Sequence, residues 1–116
     1  MVCVLSPDPS ASRRGTVGFA GRKIDLILYD EAGGGTKQVT ELRNKVQKEG
    51  VDLVVGYISS GTCAAVARVA EELKVLTLLT VCGTPRVFEE LDKNPKYVFR
   101  TMSHGTGNNS GAARYI

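Results

Sequence analysis

The sequence predicts an α/β fold, a three-layer α/β/α arrangement around a mostly parallel sheet of about five strands. Three observations carry this expectation. Short apolar runs without polar alternation, such as Leu53 to Tyr57, suit parallel strands covered on both faces. These runs alternate with segments of helical period, as βαβ units do. The joining loops are short and contain glycine, and right-handed crossovers place helices on both faces of such a sheet.

In chain order, Val2 to Leu5 is a strand stopped by Ser-Pro-Asp-Pro. Residues 6–22 are rich in Ser, Pro, Gly and Arg and show no periodicity, so they read as an irregular loop. Lys23 to Tyr29 is a strand of aliphatic and β-branched residues, closed by Asp30 to Gly35. Thr36 is the expected N-cap of a helix that runs to about Glu49. Val39, Leu42 and Val46 recur at helical spacing, and Gly50 follows the end. Lys37, Glu41 and Lys45 line its solvated face.

Leu53 to Tyr57 is the next strand, and Ser60 to Lys74 a helix of small residues able to lie close to a sheet. Val75 to Val81 is a strand ended by Cys82-Gly-Thr-Pro85. One or two helical turns over Arg86 to Leu91, a short strand over Tyr97 to Arg100 and a helix beginning at Asn108 complete the order. The first crossover stands out, because the 17 residues between Leu5 and Lys23 hold no amphipathic helix.

At 116 residues the chain is one domain with a modest core. Hydrophobic residues at 42% and charged residues at 23% are ordinary for a globular chain. The net charge of +3 is spread without a basic stripe, and there are four Tyr, three Phe and no Trp, which argues against nucleic acid as a partner. No apolar stretch is long enough to span a membrane, and the N-terminus has no charged region ahead of an apolar one, so no export signal is expected. Cys3, Cys63 and Cys82 form no metal-binding spacing and read as small buried residues, with a single bridge left open. No cofactor is expected.

The strand-to-helix junction at Ser59-Ser60-Gly61-Thr62 is the first candidate site. A helix N-terminus offers unpaired N–H groups and partial positive charge, which suit a carboxylate or phosphate. The competing role for Ser59 and Ser60 is helix capping. Thr84, ahead of Pro85, suits an N-cap equally well. Asp30 and Glu31 stand at a strand end without an accompanying base or nucleophile, so a solvated or capping role is expected. Gly33 to Gly35 lacks the spacing of a nucleotide loop. His104 reads as an exposed loop residue.

Several segments together resemble the type I periplasmic binding protein and receptor ligand-binding family, in particular its branched-chain amino acid branch of ABC-transporter substrate-binding proteins. They are Gly21 to Gly33, Val51 to Gly56 with Ile58 to Gly61, Val69 to Lys74, Tyr97 to Thr101, and Ala112 to Ile116. The resemblance implies a two-lobed clamshell that holds an amino acid or related carboxylate and then docks on a membrane permease, in the periplasm. On that reading the chain is a partial first lobe, with 6–22 in place of the family's first helix and 107–116 the start of a truncated helix. Ser59, Ser60, Gly61 and Thr62 match the first binding turn, and Cys82, Gly83 and Thr84 the second. The resemblance implies that Ser60 and the helix N–H groups take the ligand's carboxylate. The Cys82 and Gly83 carbonyls and the Thr84 hydroxyl then take its ammonium.

One lobe leaves a ligand half in water, whereas efficient pockets bury about 70–90% of it, so binding is expected to be weak. An uncovered apolar sheet face would favour self-association. The alternatives are a ligand-sensing regulatory domain and a small flavodoxin-like enzyme with Cys63 or Cys82 as nucleophile.

Overall fold

The computed structural model describes residues 2–6, 18–19, 22–91, 93–103 and 105–115. The chain forms β1 (Val2–Ser6), β2 (Gly18–Phe19), β3 (Arg22–Lys23), β4 (Asp25–Tyr29), α1 (Gly34–Glu49), β5 (Leu53–Gly56) and α2 (Ser60–Leu73). Then come β6 (Leu76–Leu79), a π-helical segment (Val87–Leu91), β7 (Val98–Arg100) and α3 (Gly105–Ala113).

The main sheet has five strands in the order β4-β1-β5-β6-β7. β5, β6 and β7 are parallel, with Leu53 opposite Leu76 and Leu78 opposite Phe99. β1 runs antiparallel to both β4 and β5, so β4 shares the direction of β5 and only β1 opposes the rest. The connection to β4 holds no amphipathic helical pattern in its sequence, which fits this pairing. Parallel neighbours need a crossover of a dozen residues or more, usually helical, whereas antiparallel neighbours need none. Gly18–Phe19, within the stretch expected to be irregular, and Arg22–Lys23, at its end and at the start of the expected strand, pair as a short antiparallel ladder; residues 7–17 and His104 lie outside the described residues.

α1 starts three residues before the position expected from Thr36 as N-cap. Gly33 is its N-cap at φ 102°, a left-handed conformation that suits glycine. Thr36 lies inside the helix, where its carbonyl accepts the Thr40 hydroxyl at 3.1 Å. Gly50 ends the helix at φ 64° and bonds back to the Lys45 carbonyl, as expected of a left-handed C-cap. α2 ends on Lys74, which takes the same role at φ 56° without being glycine.

Both helices cover one face of the sheet. Val54, Leu79 and Val98 from the strands pack with Leu42 of α1 and Val66 and Ala70 of α2, all essentially buried. α1 and α2 approach closely at Gly35, where a Cβ would sit 3.2 Å from that of Ala65. Arg43 and Glu72 join the two helices with paired bonds of 3.1 and 2.6 Å. The Glu71 carboxylate accepts the Tyr97 and Val98 N–H groups at 2.7 and 2.9 Å, which ties the end of α2 to the start of β7.

The three-layer plan is filled on this side among the described residues. On the other face Leu26, Leu28, Leu76 and Phe99 are 40–53% exposed. No helix among the described residues is long and apolar enough to cross a membrane.

Candidate functional site

β5 and β6 end side by side, and each opens into a turn at the C-terminal edge of the sheet. In open α/β sheets ligands lie at that edge. Pairing continues briefly past the strands, from Thr80 N–H to the Gly56 carbonyl (2.9 Å) and from Val81 N–H to the Tyr57 carbonyl (3.3 Å). The first turn, Ser59 to Thr62, therefore lies next to the second, Cys82 to Thr84.

The first turn is made by a sharp change of backbone direction. Tyr57 adopts φ 64°, unusual for a residue with a Cβ, and its side chain is fully buried. Its hydroxyl meets that of Tyr29 at 2.6 Å. Burial pushes both phenols above the ordinary tyrosine value; at Tyr57 the neighbouring Tyr29 and the Glu31 charge push the same way. After Tyr57, Ile58 and Ser59 point their N–H groups at Glu31. Its carboxylate accepts Ile58 N–H at 3.0 and 2.9 Å and Ser59 N–H at 3.0 Å.

Ser59 is the N-cap of α2 by backbone, since its carbonyl accepts Cys63 N–H at 2.8 Å, yet its side chain makes no capping bond. Capping therefore does not account for its hydroxyl. The N–H groups of Ser60, Gly61 and Thr62 precede the first intrahelical bond and have no partner within the helix. Ser59, Ser60 and Gly61 are exposed, and a Cβ on Gly61 would meet open space. Thr62 is 3% exposed and belongs to the buried side of the turn.

The second turn is more committed. Cys82 is fully buried and forms a disulfide with Cys63, Cα to Cα 6.2 Å. The two cysteines are thus a bridge rather than two separate small core residues. With both sulfurs buried and joined, neither is a free thiolate nucleophile. The Gly83 carbonyl accepts Gly105 N–H at 2.7 Å, at the start of α3. The Thr84 hydroxyl accepts Arg86 N–H at 3.3 Å, the capping-type contact expected ahead of Pro85, and its own proton stays free to donate. The Thr84 carbonyl accepts Arg100 Nη1 at 2.9 Å, and the Arg100 guanidinium lies 4.9 Å from the centre of the Phe88 ring.

The residues singled out in the sequence thus gather at one sheet edge, with Thr62 and Cys82 facing inward. Glu31, Tyr57 and Arg100 are supports that sequence reasoning missed. The one available signal was an acidic pair directly after a strand. Among the described residues no group of three or more His, Cys, Asp or Glu could hold a metal ion. A cavity of about 210 Å³ lined by Arg68, Glu71, Val87, Leu91 and Val98 lies at the other end of α2, away from both turns.

A family model described as periplasmic binding protein matches residues 11–116. The Leu/Ile/Val-binding protein of Escherichia coli K12 is 25% identical over 99 residues, covering 85% of this chain and 26% of the relative. The Leu/Ile/Val-binding protein BraC3 of Rhizobium johnstonii is 32% identical over the same shares. Among solved structures, an ABC transporter substrate-binding protein from Sphaerobacter thermophilus superposes with a TM-score of 0.75 at 27% identity, over 84% of this chain and 26% of that one. The chain spans about a quarter of the length of these relatives. With the sheet, the two edge turns and the family match in agreement, the chain belongs to the periplasmic binding protein family.

Proposed function

We propose that this chain supplies the amino-acid-gripping part of a solute-binding component of an ABC transporter. The observation that carries the reading is the pair of adjacent turns at the ends of β5 and β6, with Ser59 and Ser60 exposed and the Ser59 hydroxyl not explained by capping. Ser60 and the free N–H groups of Gly61 and Thr62 would receive a ligand carboxylate. The Thr84 hydroxyl, with the second lone pair of the Gly83 carbonyl, would meet the ammonium. Relatives named for leucine, isoleucine and valine binding support an aliphatic amino acid as ligand. A membrane permease as partner and the periplasm as location follow from the same family reading. The exposed Leu26, Leu28, Leu76 and Phe99 on one sheet face add a second copy of the chain as a partner.

The turns form an open edge, so a dissociation constant of about 1 mM is expected. Calorimetric titration with leucine and valine tests this. Heat that saturates near that range, and an affinity about tenfold lower in Ser60→Ala, are the expected results. No heat at several times that concentration would overturn the reading.

A further inference from the structure

We propose that the Cys63–Cys82 bridge is a positioning staple that sets the spacing between the two turns of the grip. Cys63 lies in the first turn of α2, four residues after Ser59, and Cys82 opens the second turn. The bridge spans a sequence separation of 19 and so closes a ring containing most of α2 and all of β6. Both ends of that ring lie at the sheet edge where the turns meet.

The other bonds of the second turn lead elsewhere. Gly83 is held by Gly105, and Thr84 by Arg86 and Arg100, all later in the chain and toward β7. The first turn is held from the opposite side by Glu31. Each turn is therefore anchored outward, and the disulfide is the covalent tie across the gap between them. Because both cysteines are fully buried, the tie is shielded from thiols in solution and acts as a constant part of the native site. The consequence for affinity rests on the solute-binding reading; the consequence for the turns does not.

The test compares oxidised protein with protein unfolded, treated with a water-soluble phosphine and refolded under reducing conditions. The phosphine attacks one sulfur and the S–S bond breaks. Water supplies the oxygen of the phosphine oxide and the two protons of the new thiols. The reduced form keeps both side chains, so it separates loss of the bond from loss of packing, and Cys63→Ala with Cys82→Ala serves as a second form.

Mass spectrometry of the unreduced, alkylated chain should find one peptide pair linked through Cys63 and Cys82; alkylation of both in the native oxidised protein would overturn the proposal. Amide exchange at Cys63, Val81 and Gly105, whose N–H groups are bonded within or to the two turns, should quicken about tenfold on reduction while the β5–β6 ladder is unchanged. Unchanged turns, or equal acceleration everywhere, would overturn it. If the oxidised protein binds leucine, the reduced form should bind about tenfold more weakly, and equal affinity counts against the staple. If the oxidised protein binds no leucine, the functional reading fails and the exchange rates still decide the staple.

Discussion

Glu31 shows how one side chain can set the backbone of a turn. Tyr57 holds a left-handed backbone conformation that costs a residue with a Cβ about 1 kcal/mol or more. The conformation persists because its side chain is fully buried, its hydroxyl is bonded to Tyr29, and the N–H groups it turns outward find a carboxylate. Hydrogen bonds to a charged group are worth more than neutral ones. Glu31→Ala is therefore expected to lower stability by about 1–2 kcal/mol in urea unfolding, with faster amide exchange at Ile58 and Ser59. Glu31→Gln keeps an acceptor oxygen and should recover part of both effects. Unchanged exchange at those two amides in Glu31→Ala would show that the turn holds itself.

Among the elements, α1 and α2 form the platform on which the first turn rests. Their contact combines close backbone approach at Gly35 with the Arg43–Glu72 pair. The hydrogen bond from Arg43, more than its charge at a distance, holds the Glu72 carboxyl below the ordinary glutamate value. A carboxyl depressed in the folded state stabilises the fold at pH values above its unfolded value, and that contribution is lost as pH falls through the folded value. Both groups lie at the surface, so salt screens the pair and its effect is small. Urea midpoints should therefore show wild type slightly above Glu72→Gln at neutral pH, with the gap closing in acid and shrinking in high salt. A gap that widens in acid would contradict the assignment.

The helices were legible in the sequence because Val39, Leu42 and Val46 keep helical period and because Ser60 to Lys74 is a run of small residues able to lie close to a sheet. The start of α1 was less legible. Thr36 has the better capping side chain, yet a left-handed glycine at Gly33 begins the helix earlier. Strands β5, β6 and β7 were expected within one or two residues of where they lie, since the apolar runs end at glycine or at a charged residue. The Cys63–Cys82 pairing was not legible. It depends on the first turn of α2 lying over the exit of β6, a distance in space between residues far apart in sequence.

For the molecule as a whole, the exposed sheet face is the most consequential feature. Leu26 and Leu28 of β4, Leu76 of β6 and Phe99 of β7 lie on it, joined in register by Leu53, Val55 and Leu78. Contiguous apolar surface of this kind is uncommon on monomers and marks a contact region. Sedimentation of the chain over a range of concentrations should show mass rising above the monomer. Leu28→Lys with Phe99→Lys should restore the monomer without loss of helical content. A concentration-independent monomer in the wild type would remove the second copy from the list of partners.

The sequence by itself determined the α/β class, the order of helices and parallel strands, and the two turns where hydroxyls and free N–H groups gather. Those features follow from local periodicity and from residues adjacent in the chain. Only the tertiary structure decided that β1 runs against its neighbours, that Cys63 joins Cys82, and that Glu31 and Arg100 brace the turns. Each of these depends on which distant segments come to share an edge, and pairing at a distance leaves no trace in local pattern.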